Sequence, residues 1–567
     1  MIRIGPQAIL QGSNIFYSYS KHKSEEMVSF ANKKSVLVFS VVSSIILVSI
    51  GIIFTDIPSR DVAHRYAPMS EAFANGCWQY AFHLRIQCLQ TVSGGIFAWI
   101  FQCNGFLALQ IASALFFLGG AWLVWKLFRE IYQDKPYIAT AAVAFYSIFP
   151  YNIHMAYSGL RDSAKTFIIL LTAWALIKIY RNTRQYTGYI LLGIGGALSM
   201  ICRADMVMTG LFLLFTGMVI ECQSEKRPQR SLIAAAVTGM TVLLSSLINY
   251  RVSGHAMPDY RFAELFNKIT GHPAQITDAL CLTVLIIVVI AAGAAVTALL
   301  LRKIHAGFFI AAMLLVMTGV SIYIYLAGKP SDPVEFVKSI VKGNYHAVGI
   351  FCLLTIVYLI YYKRFTGEEF LLCLILLSNM FFNIVPMEIF HKVLYVSDRY
   401  LFTAIPLLSG FFAIGINEIW QIIRKKMNQK CANIILVLVC TAISGAFIFH
   451  ALQPTLKNYT GETLIKNRKG ILELKNTLIA DYKGEQYKDT AVSINRYQSQ
   501  KAPFVLFDTD HKITVAAYMA GGSMVCEAEK YPDYFVGDKL PERFAGKAIL
   551  LREINFGSYS KKLWRIE

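Results

Sequence analysis

Four short segments of this chain place acids beside bases at the edges of apolar runs. The first is TDIPSRDVAHRYAPMSEAFANGCW, with Asp61, His64 and Arg65. The second, HMAYSGLRDSAKTF, carries Arg161 and Asp162. The third sets Arg203 two residues before Asp205, and the fourth, HKVLYVSDRYLFTAIP, holds His391, Lys392, Asp398 and Arg399. A carboxylate held partly out of water takes a proton from a hydroxyl nucleophile. A guanidinium matches phosphate oxygens. Acids and bases at membrane depth are costly, and by default they mark function. Each segment also has a plainer reading. Asp61 and Arg65 make an i, i+4 ion pair worth about 0.3–0.5 kcal/mol when exposed. Arg161 and Asp162 neutralise one another on a tight turn, Arg203 snorkels from a helix end, and the tyrosines of the fourth segment anchor it at the interface.

The elements that position these residues are membrane spans. The chain has 567 residues, 56% hydrophobic and only 16% charged, with mean hydropathy +0.49, where soluble proteins carry about 25% charge. This excludes a disordered chain, a collagen-like fibre and a disulfide scaffold. Apolar stretches long enough to cross a bilayer fall near 36–54, 106–127, 137–153, 164–180, 186–202, 206–221, 231–249, 279–301, 308–326, 347–362, 370–387, 400–419 and 433–451. The expected fold is therefore a polytopic α-helical membrane protein of about thirteen transmembrane helices. Lys and Arg exceed Asp and Glu by 54 to 35, a net charge of +19. The excess clusters on alternate connections, such as Arg129 and Lys135, Lys178 to Arg184, Arg230, and Arg424 to Lys426. The positive-inside rule makes those connections cytoplasmic. No basic run is interleaved with aromatics in the way that tracks a nucleic-acid strand, so no nucleic-acid partner is expected.

This divides the chain into a cytoplasmic tail (1–34), a membrane domain (35–452) with a long first outer loop (55–105), and a polar extracytoplasmic segment (453–567). In that last segment DTAVSINRY, PFVLFDTD, ITVAAYMAGG and KAILLREI read as short strands of a small α/β domain. In the first outer loop Val62, Tyr66, Met69 and Phe73 form an apolar stripe. It predicts a helix on the membrane surface with Asp61, His64 and Arg65 on its other face, and Pro68 kinking or interrupting it. Phe262, Leu265, Phe266 and Ile269 predict a second interfacial helix, and Val334, Val337 and Val341 a weaker one. No spacing of Cys, His or acids suits a metal, so none is assigned, although His83 and the acids are chemically able to bind a divalent ion. Cys77, Cys88 and Cys103 fall in the first outer loop, where one disulfide among them fits an oxidising compartment.

The order of these segments resembles the GT-C superfamily of polyprenyl-phosphate-dependent glycosyltransferases. It is most similar to the protein mannosyltransferases and the lipid A aminoarabinose transferases. RDVAHRYAPMSEAFANGCW looks like the family's first outer loop, from Asp61 through Tyr66 to Gly76 and Trp78. Family members often carry a second acid after the Asp and a Tyr four residues on; here Val62 stands in the second place and the step to Tyr66 is five. FHLRIQ stands where the aminoarabinose branch has a phosphate-binding Lys, which puts Arg85 there by position, with His83 beside it. SGLRDSAKTF resembles the second acidic position, filled by Asp162. GIGGALSMICRADM resembles a Gly-rich span ending in Arg203, with Ala204 in place of the usual Pro. SDRYLFTAIPLL resembles an Arg-Tyr…Pro segment, matching Arg399, Tyr400 and Pro406.

The resemblance implies a bacterial inner-membrane enzyme that moves a sugar, with inversion, from a polyprenyl-phosphate donor to a lipid, glycan or protein acceptor at the outer face. It further implies Asp61 as general base, with Asp56 a distant second, and Asp162 as a second catalytic acid that orients an Arg or touches the acceptor. Arg85, Arg161, Arg203 and Arg399 would hold the donor phosphate, and Tyr66, His83 and Tyr400 would line the acceptor or sugar site. The rival readings are a transporter or flippase of lipid-linked saccharides, an oligosaccharide ligase or polymerase, and a membrane assembly protein. Repeat symmetry and mid-membrane charges would favour the transporter, and neither is visible in the sequence.

Overall fold

In the computed structural model the described residues are 34–59, 61–76, 81–82, 88–225, 228–253, 256, 266–301, 346–362, 364–391, 405–460, 462–481, 504–507, 515–516, 518–520, 523–524, 534–556 and 559–566. The chain enters through α1 (Lys34–Phe54) and reaches the first long connection. This holds a π-helical turn (Val62–Tyr66), α2 (Ala67–Ala74) and α3 (Leu89–Phe101). The bundle continues with α4 (Gly105–Ile131), α5 (Pro136–Ile148), α6 (Pro150–Tyr157), α7 (Asp162–Arg181), α8 (Tyr186–Cys202), α9 (Ala204–Glu225), α10 (Ser231–Ser253) and α11 (Ile276–Leu301). It closes with α12 (His346–Tyr361), α13 (Gly367–His391), a 3-10 turn (Ile405–Leu408), α14 (Ser409–Lys426) and α15 (Gln429–Thr460). Among the described residues eight helices are long and apolar enough to cross a membrane, which makes this a multi-pass membrane protein. The expected span at 308–326 and the valine-striped helix lie outside the described residues, as does most of the second interfacial helix; of the latter, residues 266–270 are helical and Ile269 is exposed.

One expected span is two helices. Phe149 precedes Pro150, whose ring pushes its neighbour out of the helical region. Phe149 is extended (φ −65°, ψ 119°), and the run at 137–153 breaks there into α5 and α6. Local chemistry sets other ends too. Asn104 caps α4, its Oδ1 accepting from the Leu107 amide at 2.8 Å. α7 begins on Asp162 and ends on Lys178 and Arg181, in accord with its dipole.

The main apolar core is built from α4, α5, α7, α8 and α9, around Phe117, which stacks on Tyr146. α11 instead turns Val284, Leu285, Val288 and Val289 outward, as a lipid-facing helix does.

After α16 (Glu462–Asp481) come β1 (Phe504–Phe507), β2 (Ser523–Met524), β3 (Tyr534–Gly537), β4 (Ala548–Asn555) and β5 (Ser560–Ile566). They form one sheet in the order β2-β1-β3-β5-β4, parallel at β2-β1-β3 and antiparallel at β3-β5-β4. The described residues of PFVLFDTD, Phe504–Phe507, form a strand as expected, KAILLREI carries β4, and DTAVSINRY lies outside the described residues. ITVAAYMAGG is a correction: its described residues are helical, with the Ala520 amide donating to the Ala516 carbonyl. Val515 and Ala516 are both buried, which a strand of period two does not allow when only one face is covered.

Candidate functional site

Asp61 opens the segment that leads from α1 into α2, and the chain does not break at Pro68. The turn before it widens instead, with the Ala67 amide donating to the Val62 carbonyl, five residues back. A proline in a regular α-helix clashes with the carbonyl four residues earlier, and a wide turn is one way a helix absorbs such a residue. The wide turn is one residue longer than the α-helical one. Tyr66, five residues after Asp61, therefore stands one turn along from it, as a residue four away would in an α-helix.

Val62, Tyr66 and Met69 are buried as the stripe predicts, but Ala63, Ala67, Ser70 and Glu71 are buried with them. The segment is not a helix lying on the surface with one polar face in water. It is wedged between α4, α6 and the C-terminal segment in a second apolar core, which joins Val62, Tyr66, Phe106 and Leu109 to Leu474, Val515, Val536 and Leu563. The fit is close. A Cβ at Gly105 would overlap the Ala67 carbonyl, and one at Gly95 would overlap the Phe73 ring.

From Tyr66 a set of polar contacts leads to the second and third segments. The Arg161 guanidinium lies over the Tyr66 ring, 5.2 Å from its centroid. Its Nη1 also donates to the Cys202 carbonyl at 3.4 Å. Arg203 follows in extended backbone between α8 and α9, and its Nη1 stands 3.8 Å from Asp162 Oδ1. Asp162 is 1% exposed and Arg203 6%. At an effective dielectric of 20, opposite charges about 4 Å apart attract by about 4 kcal/mol, and the desolvation of two buried ions is of the same order. Stability alone is therefore a weak reason to bury this pair.

The structure thus brings together Tyr66, Arg161, Asp162 and Arg203, with Asp61 at the head of the turn that carries Tyr66. His83, Arg85, Arg399 and Tyr400 lie outside the described residues. Asp56 is held by Arg468 of α16 in a two-pronged contact of 2.8 and 2.6 Å, which makes it a tie to the C-terminal segment. Cys88 and Cys103 are free thiols, while Cys77 lies outside the described residues.

Two residues escaped the sequence reading. Lys165 is 1% exposed and sits one turn after Asp162 on α7, where i and i+3 share a face. A lysine at the start of an apolar span was the available signal. Glu71 is buried too, and its Oε1 accepts from the Gly105 amide at 2.8 Å and the Tyr518 hydroxyl at 2.9 Å. Nothing in its spacing marked it, because the partners are 34 and 447 residues away.

Arg203 thus faces Asp162, and Arg161 and Lys165 stand within one turn of it along the chain, a grouping of cations of the kind a phosphate site requires. These residues do not fit a divalent ion: Asp162 faces a guanidinium, and among the described residues no three His, Cys, Asp or Glu side chains converge.

The sequence profile of the dolichyl-phosphate-mannose–protein mannosyltransferase family matches residues 95–249, from α3 through α10. No curated protein matches the chain in sequence. Among solved structures, the Archaeoglobus fulgidus oligosaccharyltransferase crystallised with zinc and sulfate superposes with a TM-score of 0.52 at 14% identity, covering 89% of this chain and 63% of that one. The same organism's oligosaccharyltransferase AglB, bound to an inhibitory peptide and a dolichol-phosphate, gives a TM-score of 0.51 at 12% identity, covering 88% and 64%. ArnT from Cupriavidus metallidurans in the apo state gives 0.43 at 10%, covering 94% and 98%. The chain shares the fold of the archaeal enzyme and spans less than two thirds of that enzyme's length.

Proposed function

We propose that this chain is an integral-membrane glycosyltransferase that moves a sugar from a polyprenyl-phosphate donor to a lipid, glycan or protein acceptor, with inversion at the anomeric carbon. The observation that carries the reading is the buried Asp162–Arg203 pair with buried Lys165 and half-buried Arg161 beside it in the chain, Arg161 lying over Tyr66 of the turn headed by Asp61. The GT-C fold and the mannosyltransferase profile over the same helices support it.

In this reading Asp61 takes the proton of the acceptor hydroxyl as its oxygen attacks the anomeric carbon. The bond from that carbon to the phosphate oxygen breaks, and polyprenyl phosphate leaves with the electron pair. Charge grows on the phosphate as it departs, and cations already in place lower the barrier. Arg161, Lys165 and Arg203 do this, joined by Arg85 and Arg399. Asp162 keeps Arg203 aimed at the phosphate, and Tyr66, His83 and Tyr400 line the sugar or acceptor. No step is routed through a metal.

The proposed membrane is a bacterial inner membrane, with Asp61 and the C-terminal segment outside. What supports this sidedness is that Arg129, Lys178, Arg181, Arg184 and Arg230 gather at the opposite ends of the same helices.

The test is purified protein in lipid with a panel of polyprenyl-phosphate sugars, reading release of free polyprenyl phosphate. Release by the wild type and not by Asp61→Asn is the expected result. Release that survives Asp61→Asn removes Asp61 as the base. No release from any donor, with movement of the lipid-linked sugar between leaflets, establishes the transporter reading instead.

A further inference from the structure

We propose that Glu71 is a positioning residue through which the C-terminal segment holds the Asp61–Tyr66 turn in place for transfer. The inference rests on the glycosyltransferase reading for its catalytic consequence, though the tie itself does not. One oxygen, Glu71 Oε1, receives both the Gly105 amide and the Tyr518 hydroxyl. It thereby joins α2 to the start of α4 on one side and to the C-terminal segment on the other. Gly105 is the residue whose missing side chain lets α4 reach the Ala67 carbonyl, so the amide and the close approach are one feature.

Other described parts of the first long connection are held by polar contacts too. Its beginning is fixed by the Asp56–Arg468 pair. Its middle is fixed by Ser70 Oγ, which donates to the Thr91 carbonyl of α3 at 3.0 Å. Apolar packing of Val62, Tyr66 and Met69 on Leu474, Val515 and Val536 supplies attraction without direction. Hydrogen bonds to a single buried oxygen supply the direction. A shift of about 1 Å in a reacting group can cost up to about 100-fold in rate, so a tie of this kind acts on turnover more than on donor binding.

Because Oε1 only accepts, glutamine at this position can present its carbonyl oxygen to both donors, whereas alanine cannot. The test compares Glu71→Gln, Glu71→Ala and Tyr518→Phe in the full-length protein in lipid. Its two readouts are amide hydrogen exchange over residues 67–74 and the kcat and KM for donor turnover. The expected result is faster exchange in Glu71→Ala and Tyr518→Phe, with kcat down about tenfold and about threefold respectively and KM within about twofold. Glu71→Gln should match the wild type in both readouts. A Glu71→Gln variant as inactive as Glu71→Ala would overturn the proposal, because Glu71 would then act through its charge. So would unchanged exchange in Tyr518→Phe, or faster exchange with unchanged kcat. A wild type without turnover on any donor would defeat the glycosyltransferase reading instead, and exchange would still decide whether the tie exists.

Discussion

Both ends of the bundle bury carboxylates, and they use them differently. At the end away from Asp61, Glu221 is fully buried. It accepts from the Arg230 and Ser231 amides at 2.8 Å and from the Ser231 hydroxyl at 2.7 Å, and so caps α10. Glu369, 2% exposed, accepts from the Thr366 amide and the Tyr132 hydroxyl in a capping box at the start of α13. Arg181 meets Glu368 there, and Arg364 meets Glu418. At the Asp61 end, Asp162 faces Arg203 at 3.8 Å, with Arg161 before it in the chain and Lys165 one turn after it on α7. Burial of an ion therefore does not identify a site. What distinguishes the two ends is that one set of acids satisfies backbone groups the helices would otherwise leave open, while Asp162 faces a guanidinium.

The comparison breaks most sharply on Asp61 and Glu221. Asp61→Asn should lower turnover by at least about 100-fold with the melting temperature unchanged. Glu221→Gln should leave kcat near the wild-type value and destabilise the protein by about 1–3 kcal/mol, since its neighbours lose a charged acceptor. Thermal unfolding and donor turnover, measured on both variants, check this. Loss of turnover in Glu221→Gln at full stability would erase the distinction between the ends.

Arg203→Ala should do both kinds of damage. It breaks a buried ion pair, which costs about 3–5 kcal/mol, and it removes a phosphate cation. Arg203→Ala with Asp162→Asn together should recover most of that stability and none of the activity. Recovery of turnover in the double variant would make the pair structural, like those at the other end.

Lys165→Met tests the contrast at a second cation. Removing one charge from a buried group of ions should cost stability. Loss of one cation should also lower kcat/KM for the donor by about tenfold. A destabilised Lys165→Met with unchanged kcat/KM would count Lys165 among the structural ions.

How far the sequence foretold this arrangement depends on the range of the interactions. Helix positions were legible because apolar runs of span length have few alternatives in lipid. The break at Phe149 was legible only in hindsight of Pro150, because apolarity ran through it unchanged. Asp162 and Arg203 were visible as charges at span ends, but their meeting was not, since it depends on how α7 and α8 pack. The five-residue step from Asp61 to Tyr66 looked like a lost register, and the wide turn before Pro68 absorbs it. Glu71 was invisible because its role is set by Tyr518, in a stretch that reads as a strand and is helical.

The smallest effect concerns charge near Glu71. Burial pushes the Cys103 thiol above its ordinary value, its own backbone contact lowers it, and the nearby Glu71 carboxylate raises it further. Burial pushes Cys88 up to about 11, against a smaller opposing effect of its own backbone. The thiolate is the reactive form, so a raised pKa keeps both thiols slow toward a maleimide at pH 8 and lets the rate climb as pH rises. Removing the Glu71 charge lowers the Cys103 pKa, so Glu71→Gln should speed Cys103 labelling at pH 8 by a few fold and leave Cys88 unchanged. The same variant is expected to keep its turnover. Together the two results would show that the Glu71 charge is felt locally by a thiol and is not needed for transfer, which places Glu71 with the acids that hold the structure even though it lies at the end where chemistry is proposed. Faster labelling of both thiols would instead report a loosened α2, and Gln would then have failed to replace the tie.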